Sequence, residues 1–149
     1  MDLPIALTHS FFNFASILST TGYASEDYTL WGPFAVAAAY FATFMGGCSG
    51  STAGGIKAYR FVILFNIIVS GLIYPNAVYS VRYGNQIVDA DTQRAVFLFF
   101  SAYIFIWVVG SLAMALVGYD FATASSSVIT ALSNVGPGIG PLVGPAGNF

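Results

Sequence analysis

The chain alternates long apolar stretches with short polar segments that contain glycine. Residues 95–117 form the most continuous apolar stretch, and they exceed the length of about 20 residues that a helix needs to cross the hydrocarbon core. We predict a transmembrane helix there. The apolar stretches 3–18 and 121–132 are shorter, and each suits a helix of only about 18–24 Å. We predict half-length helices at both positions.

Each half-length helix is followed by polar backbone. The first polar segment, residues 19–23, has the sequence Ser-Thr-Thr-Gly-Tyr, and the second polar segment, residues 133–138, has the sequence Ser-Asn-Val-Gly-Pro-Gly. A half-length helix followed by exposed backbone makes a re-entrant pore loop, although one copy alone also fits a short interfacial helix with a polar turn. When Gly22 is aligned with Gly136, a leucine and a serine coincide as well. This internal repetition favours two pore loops.

A glycine-rich stretch interrupts a third apolar region. Residues 31–45 are apolar, residues 46–55 have the sequence Gly-Gly-Cys-Ser-Gly-Ser-Thr-Ala-Gly-Gly, and residues 61–73 are apolar again. Because the last part is too short to span a bilayer alone and the interruption carries no charge, we predict one membrane element broken at membrane depth. The alternative is a two-helix hairpin whose loop lies in water. We call residues 46–57 the glycine loop.

The composition places the chain in a membrane. Of its 149 residues, 57% are hydrophobic and 7% are charged, whereas ordinary soluble domains contain about 25% charged residues. This excludes a water-soluble domain, and a formal net charge of −2 gives no electrostatic footprint for nucleic acid. A single histidine and a single cysteine leave almost no material for nucleophilic catalysis or a metal centre. We therefore predict that the chain is not an enzyme.

The positions of the charges predict an orientation. The acids nearest the polar segments are Glu26, Asp27 and Asp120. All basic residues lie in or toward residues 74–94, which the positive-inside rule makes cytoplasmic, so the polar segments open outward. The acids either concentrate cations at the outer mouth or belong to solvated loops. Lys57 and Arg60 are either cations associated with a gate or ordinary anchors at the membrane end.

The two polar segments suit the binding of a dehydrated cation. Such an ion needs oxygen ligands in place of its water shell, and rings of backbone carbonyls supply them in potassium filters. Gly22 and Gly136 would allow the backbone to turn consecutive carbonyls toward one axis, and Thr20, Thr21 and Asn134 could hold that backbone in place. The partially negative C-terminal ends of the preceding helices favour a cation nearby.

Three motifs together resemble a known family. The glycine motif at 46–57, preceded by the first polar segment and followed by Asn-Val-Gly-Pro-Gly at 134–138, closely resembles the Trk/Ktr family of potassium-uptake membrane subunits. The resemblance implies an all-α integral membrane fold of four helix–pore loop–helix repeats around one pore. On this pattern residues 1–73 are the pore helix, filter and broken second helix of a third repeat. Residues 74–94 are a cytoplasmic connection, and residues 95–149 are the first helix, pore helix and filter of a fourth repeat.

The resemblance also implies roles for individual residues. Potassium-binding filter residues would be Thr20, Thr21, Gly22, Tyr23, Asn134, Val135 and Gly136. The gating loop would comprise Gly46, Gly47, Ser49, Gly50, Ser51, Thr52, Gly54, Gly55 and Lys57. Implied partners are the lipid bilayer, the remaining repeats, a second copy in a homodimer and a cytoplasmic nucleotide-binding regulatory subunit, with no nucleic acid. The implied location is the bacterial inner membrane, with potassium as the transported ion and no organic cofactor.

The chain is shorter than members of this family, so we expect it to be a piece of a longer protein that includes the remaining repeats. Two other functions stay open on the sequence alone. One is a secondary transporter whose broken helices bind another small solute near the bilayer midplane. The other is a membrane assembly subunit that conducts no ions.

Overall fold

The computed structural model describes residues 3–73, 81–84 and 86–147. The chain is mostly helical, with 65% of it in helices. The helices in chain order are α1 (Leu3–Leu18), α2 (Pro33–Met45), α3 (Ala58–Ile73), α4 (Ala90–Leu116) and α5 (Phe121–Ser133). A 3₁₀ turn (Tyr28–Trp31) precedes α2, and a short antiparallel hairpin of β1 (Arg82–Tyr83) and β2 (Gln86–Ile87) lies between α3 and α4.

Both predicted half-length helices are present. Helix α1 has the predicted bounds, and α5 ends one residue later than predicted. Asp120 caps α5 by accepting a hydrogen bond from the backbone N–H of Thr123 at 3.1 Å, which satisfies one of the free amides at the start of a helix. Both helices are shorter than a bilayer-spanning helix.

Helices α2 and α3 are separated by the glycine loop, as the sequence predicts. Helix α2 begins at Pro33, because proline is preorganised for the first helical turn and needs no hydrogen-bond acceptor there. Helix α3 begins at Ala58, three residues before the apolar stretch at 61. Residues 46–57 between them contain neither helix nor strand.

Among the described residues, α4 alone is long and apolar enough to cross a membrane. The predicted start at residue 95 is wrong, because the helix begins at Ala90 and includes Asp91 and Arg94. An apolar stretch marks where lipid can cover a helix, whereas the hydrogen-bonded turns continue beyond it. Part of the predicted connection 74–94 is therefore helix and hairpin, and residues 74–80 and 85 lie outside the described residues.

The helices meet in two buried clusters. The first, which joins α3, α4, α5 and the end of the glycine loop, consists of Ile56, Ile63, Val81, Val96, Phe100, Tyr103 and Ile129. The second, which joins α1, the 3₁₀ turn, α2 and the second polar segment, consists of Ile17, Tyr28, Ala39, Ala42 and Val135. Large apolar side chains elsewhere are exposed, such as Phe34 at 87% and Leu116 at 90%. A surface of this kind needs lipid or further protein to cover it.

Helices α4 and α5 form the closest helix pair. Gly110 lets α5 approach, since a Cβ there would lie 2.8 Å from the side chain of Val128. Polar contacts fix the relative position of the two helices: the indole of Trp107 donates to the carbonyl of Ser125 at 3.2 Å. The half-length α5 is thereby held along the spanning-length α4.

Candidate functional site

The two polar segments have the same backbone conformation. Thr20 has a φ of 56° and Asn134 has a φ of 55°, so both adopt the left-handed region that few residues other than glycine occupy. Two residues later, Gly22 has a φ of 80° and Gly136 has a φ of 108°. The alignment of Gly22 with Gly136, made from the sequence, therefore also superimposes the positive φ angles.

The hydrogen bonds that end the two helices correspond as well. In each case the left-handed residue and its successor close the last turn with amides that bond to helix carbonyls. These bonds run from Thr20 N to Ile17 O (3.1 Å) and Thr21 N to Ser16 O (2.9 Å), and from Asn134 N to Ala131 O (3.2 Å) and Val135 N to Thr130 O (3.0 Å). This is the usual termination of a helix by a left-handed residue, and it aims both polar segments away from their helices in the same manner.

The two polar segments touch each other. A Cβ on Gly22 would lie 2.3 Å from the carbonyl oxygen of Val135, and a Cβ on Gly136 would lie 4.0 Å from Gly22 Cα. The carbonyl of Val135 thus occupies the space that any side chain at position 22 would need. Val135 is 3% exposed, whereas Thr21, Tyr23 and Gly136 are exposed. Segments more than 100 residues apart in the chain therefore meet at backbone distance.

The glycine loop lies against the ends of both half-length helices. The amide of Gly54 donates to the hydroxyl of Thr20 at 3.0 Å. A Cβ on the same glycine would lie 2.0 Å from the carbonyl oxygen of Ser133, and a Cβ on Gly47 would lie 3.6 Å from the carbonyl oxygen of Leu18. The loop therefore contacts the first polar segment and the second polar segment at once.

The base of the glycine loop is closed by backbone contacts. The amides of Ile56 and Lys57 donate to carbonyls at the end of α2, at 3.2 and 2.9 Å. A Cβ on Gly55 would lie 2.9 Å from Gly46 Cα, so these two glycines bring the ends of the loop together. The tip, which includes Ser49, Gly50 and Thr52, is exposed.

Polar side chains hold the loop internally. The hydroxyl of Ser51 donates to the carbonyl of Cys48 at 2.8 Å and so satisfies a backbone acceptor within the loop. The ammonium of Lys57 donates to the carbonyl of Ser51 at 2.8 Å, and Lys57 itself has a φ of 74°. Lys57 is thus bound to the loop.

Arg60 connects the loop to the spanning-length helix. Its guanidinium donates to the carbonyl of Ile56 at 3.1 Å and lies over the ring of Phe99 in α4, 4.1 Å from the ring centroid. This distance is well inside the range of about 6 Å for a cation–π contact. Arg60 therefore joins the end of the loop to α4.

The acids predicted at the outer mouth have structural contacts. Asp27 caps the 3₁₀ turn by accepting from the amide of Thr29 at 2.9 Å, Asp120 caps α5, and Glu26 lies 3.6 Å from His9. Capping explains two of the three acids without reference to an ion.

The sequence analysis did not predict several polar residues that are buried in the structure. Asn13, which is 1% exposed, accepts from the amide of Ser25 at 3.2 Å and donates to its hydroxyl at 3.1 Å. The hydroxyls of Tyr103 and Ser133 are 2.6 Å apart in the interior. A polar side chain inside an apolar helix indicates that a buried hydrogen bond forms there, but the sequence does not identify the partner.

Tyr28 is another residue that the sequence analysis missed. Its ring is 4% exposed, and its hydroxyl donates to the carbonyl of Gly138 at 3.2 Å. Burial, aided by the nearby negative charge of Asp27, raises the pKa of Tyr28 to about 12, so the hydroxyl keeps its proton at any physiological pH.

These features are those of a mostly helical membrane protein in which two polar segments meet at backbone distance. The family described as TrkH, cation transport protein, matches residues 1–146. The chain belongs to this family.

Individual relatives agree with the family assignment. The chain is 46% identical to the Trk system potassium uptake protein TrkI of Halomonas elongata, over 97% of this chain and 30% of that protein. It is 37% identical to the Trk system potassium uptake protein TrkH of Escherichia coli K12, over 91% of this chain and 29% of that protein. The crystal structure of the potassium transporter TrkH from Vibrio parahaemolyticus superimposes with a TM-score of 0.84 at 34% identity, covering 94% of this chain and 31% of that one. The chain thus spans about 30% of the length of these relatives.

Proposed function

We propose that this chain forms parts of two of four helix–pore loop–helix repeats, the third and the fourth, of a protein that takes up potassium across the bacterial inner membrane. The observation that carries the proposal is the pair of polar segments. They share one backbone conformation, and they meet where Gly22 faces the carbonyl oxygen of Val135. Relatives named as potassium uptake proteins support potassium as the ion.

Ion binding would depend on backbone carbonyls. Residues of positive φ recur at alternate positions, at Thr20 and Gly22 and again at Asn134 and Gly136. Alternation of this kind turns successive peptide planes, so that carbonyls can face one side and replace the water shell of potassium. The C-terminal ends of α1 and α5 lie directly before these residues, and their partial negative charge favours a cation.

The glycine loop would obstruct the pathway below the filter and move on gating. The loop is held against the two polar segments by the hydrogen bond from Gly54 to Thr20 and by the close approach of Gly54 to Ser133. We call this position the seat of the loop. Because the loop tip is exposed and the base is closed, the loop can leave this seat without unfolding α2 or α3. The full protein would work as a homodimer with a cytoplasmic nucleotide-binding regulatory subunit, in which the hairpin side of the chain faces the cytoplasm.

The filter assignment is tested in a chimera in which this chain replaces the matching segment of Halomonas elongata TrkI. Gly22→Ser places a side chain against the carbonyl oxygen of Val135, whereas Gly32→Ser is a matched control, since Gly32 has a φ of 107° but nothing within 4 Å of its Cβ position. We expect Gly22→Ser to reduce discrimination between potassium and sodium in uptake, and Gly32→Ser to leave it unchanged. Equal selectivity in both variants would refute the filter assignment and favour transport of another solute.

The gate assignment is tested in the same chimera. Since Gly46 and Gly55 touch, deletion of residues 47–54 can be closed by joining these two glycines with little strain. We expect the deletion to raise potassium leak through reconstituted vesicles. If leak stays at the level of the parent while the protein remains folded, the loop is only a connector.

A further inference from the structure

We propose that Tyr28 is a positioning residue that sets the spacing between the two polar segments and thereby the size of the cation that the filter accepts. This inference rests on the proposed function, because it assigns a role beside the filter. Tyr28 follows the first polar segment in the chain, yet its hydroxyl bonds to Gly138 at the far end of the second polar segment. It is therefore a direct link between the two repeats.

Tyr28 is packed in a buried cluster that includes residues next to both polar segments. It belongs to the cluster that contains Ile17, at the end of α1, and Val135, whose carbonyl faces Gly22. The cluster thus includes the end of the helix before the first polar segment and the central residue of the second polar segment. With 4% of its surface exposed, Tyr28 is almost fully enclosed by the surrounding protein.

Tyr28 is itself held firmly. Asp27 caps the 3₁₀ turn by accepting from the amide of Thr29 at 2.9 Å, and its carbonyl accepts from the amide of Leu30 at 3.2 Å. The phenol remains a neutral donor because its pKa is about 12. A rigid ring on a capped turn is a suitable spacer, since few torsions remain free.

The other end of the link is also fixed. The residue after Gly138, Ile139, donates its amide to the hydroxyl of Ser126 in α5 at 2.9 Å. A Cβ on Gly138 would lie 3.0 Å from that hydroxyl oxygen. The second polar segment is therefore tied to its own helix by Ser126 and to the preceding repeat by Tyr28. In a filter that selects by the size of its cavity, ties of this kind keep the backbone from contracting around a smaller ion.

The test is Tyr28→Phe in the TrkI chimera, which keeps the ring and removes only the hydroxyl. We expect the ratio of potassium to sodium uptake to fall by about two- to tenfold, the range that corresponds to the net contribution of one neutral hydrogen bond. The maximal potassium uptake rate should change less than this ratio. Tyr119→Phe, at a tyrosine that is 41% exposed, is the matched control and should leave the ratio unchanged.

Two results would overturn the proposal, and they differ in what else they refute. If Gly22→Ser changes the ratio but a folded Tyr28→Phe protein does not, the filter stands and the role of Tyr28 is wrong. If neither variant changes the ratio, the proposed filter itself is wrong, and the role of Tyr28 falls with it. Thermal unfolding of each purified chimera in detergent shows whether it is folded, and Tyr28→Met supplies a second variant that lacks the phenol and adds no volume should Tyr28→Phe be unstable.

Discussion

Replacement of Gly54 by alanine tests the contact between the glycine loop and the two polar segments. The new Cβ would lie 2.0 Å from the carbonyl oxygen of Ser133 and 2.8 Å from its carbonyl carbon, and real Cβ atoms essentially never approach closer than 3.0 Å. Both atoms belong to backbone at the end of α5, so no side chain can rotate away. The loop and the second polar segment must separate by about 1 Å.

This separation has an energetic cost that can be estimated. It strains or breaks the bond of 3.0 Å from the Gly54 amide to the Thr20 hydroxyl, which is worth about 0.5–1.5 kcal/mol. Overpacking adds about 1–3 kcal/mol. A total of about 1.5–4.5 kcal/mol against the seated loop would raise the ratio of displaced to seated loops by roughly 10-fold to 2,000-fold.

The assay is rubidium flux through proteoliposomes that contain the TrkI chimera without its regulatory partner. We expect Gly54→Ala to raise basal flux and to lower the temperature of unfolding. Gly50→Ala is the matched control, because it makes the same substitution in the same loop at a position with nothing within 4 Å of the Cβ. If the two variants have the same flux and the same unfolding temperature, the seated loop is not the closed state of the protein.

Three further substitutions test contacts around the same loop and its helices. Tyr103→Phe leaves the buried hydroxyl of Ser133 without its partner at 2.6 Å and should lower the free energy of unfolding by about 1–3 kcal/mol. If the double variant Tyr103→Phe/Ser133→Ala loses as much stability as the two single variants together, the two hydroxyls do not interact. Lys57→Gly should be more stable than Lys57→Ala by about 1–2 kcal/mol in thermal unfolding, since both lose the ammonium but only glycine relieves a φ of 74°. Arg60→Lys removes the planar contact over Phe99 at 4.1 Å and should lower stability by about 0.5–2 kcal/mol; an unchanged unfolding temperature would show that the contact contributes nothing.

The helices could be predicted because their signals are local. Apolar length alone placed α1 and α5 within a residue of their observed bounds, whereas α2 begins at Pro33, two residues after the start of the apolar stretch at 31. The 3₁₀ turn and the hairpin of β1 and β2 were missed, since each contains only a few residues and no hydrophobic period. The hairpin depends on a turn with a φ of 60° at Gly84, and one glycine among 16 is not a specific signal.

Only part of the candidate site could likewise be predicted from the sequence. The match between Gly22 and Gly136 was visible in the sequence, because it follows from repetition. The bond from Gly54 to Thr20 and the bond from Tyr28 to Gly138 were not visible. Both join residues far apart in the chain, and such pairings depend on how helices pack rather than on any local preference.

Glycine makes this arrangement possible at three junctions between backbone and backbone. A Cβ would lie 2.3 Å from a carbonyl oxygen at Gly22, 2.0 Å at Gly54 and 2.3 Å at Gly46. The first junction joins the two polar segments, the second joins the loop to α5, and the third closes the loop on itself. The second polar segment takes part in the first and the second junction, and close-packed interiors transmit small shifts, so we expect motion at the second junction to reach the first. If the proposed function holds, displacement of the glycine loop therefore relaxes the spacing between the polar segments. The opening of the gate and the spacing of the filter are then coupled and do not change independently. On the same proposal, an ion site built of peptide groups needs few charged side chains, which fits the 7% of charged residues in this chain.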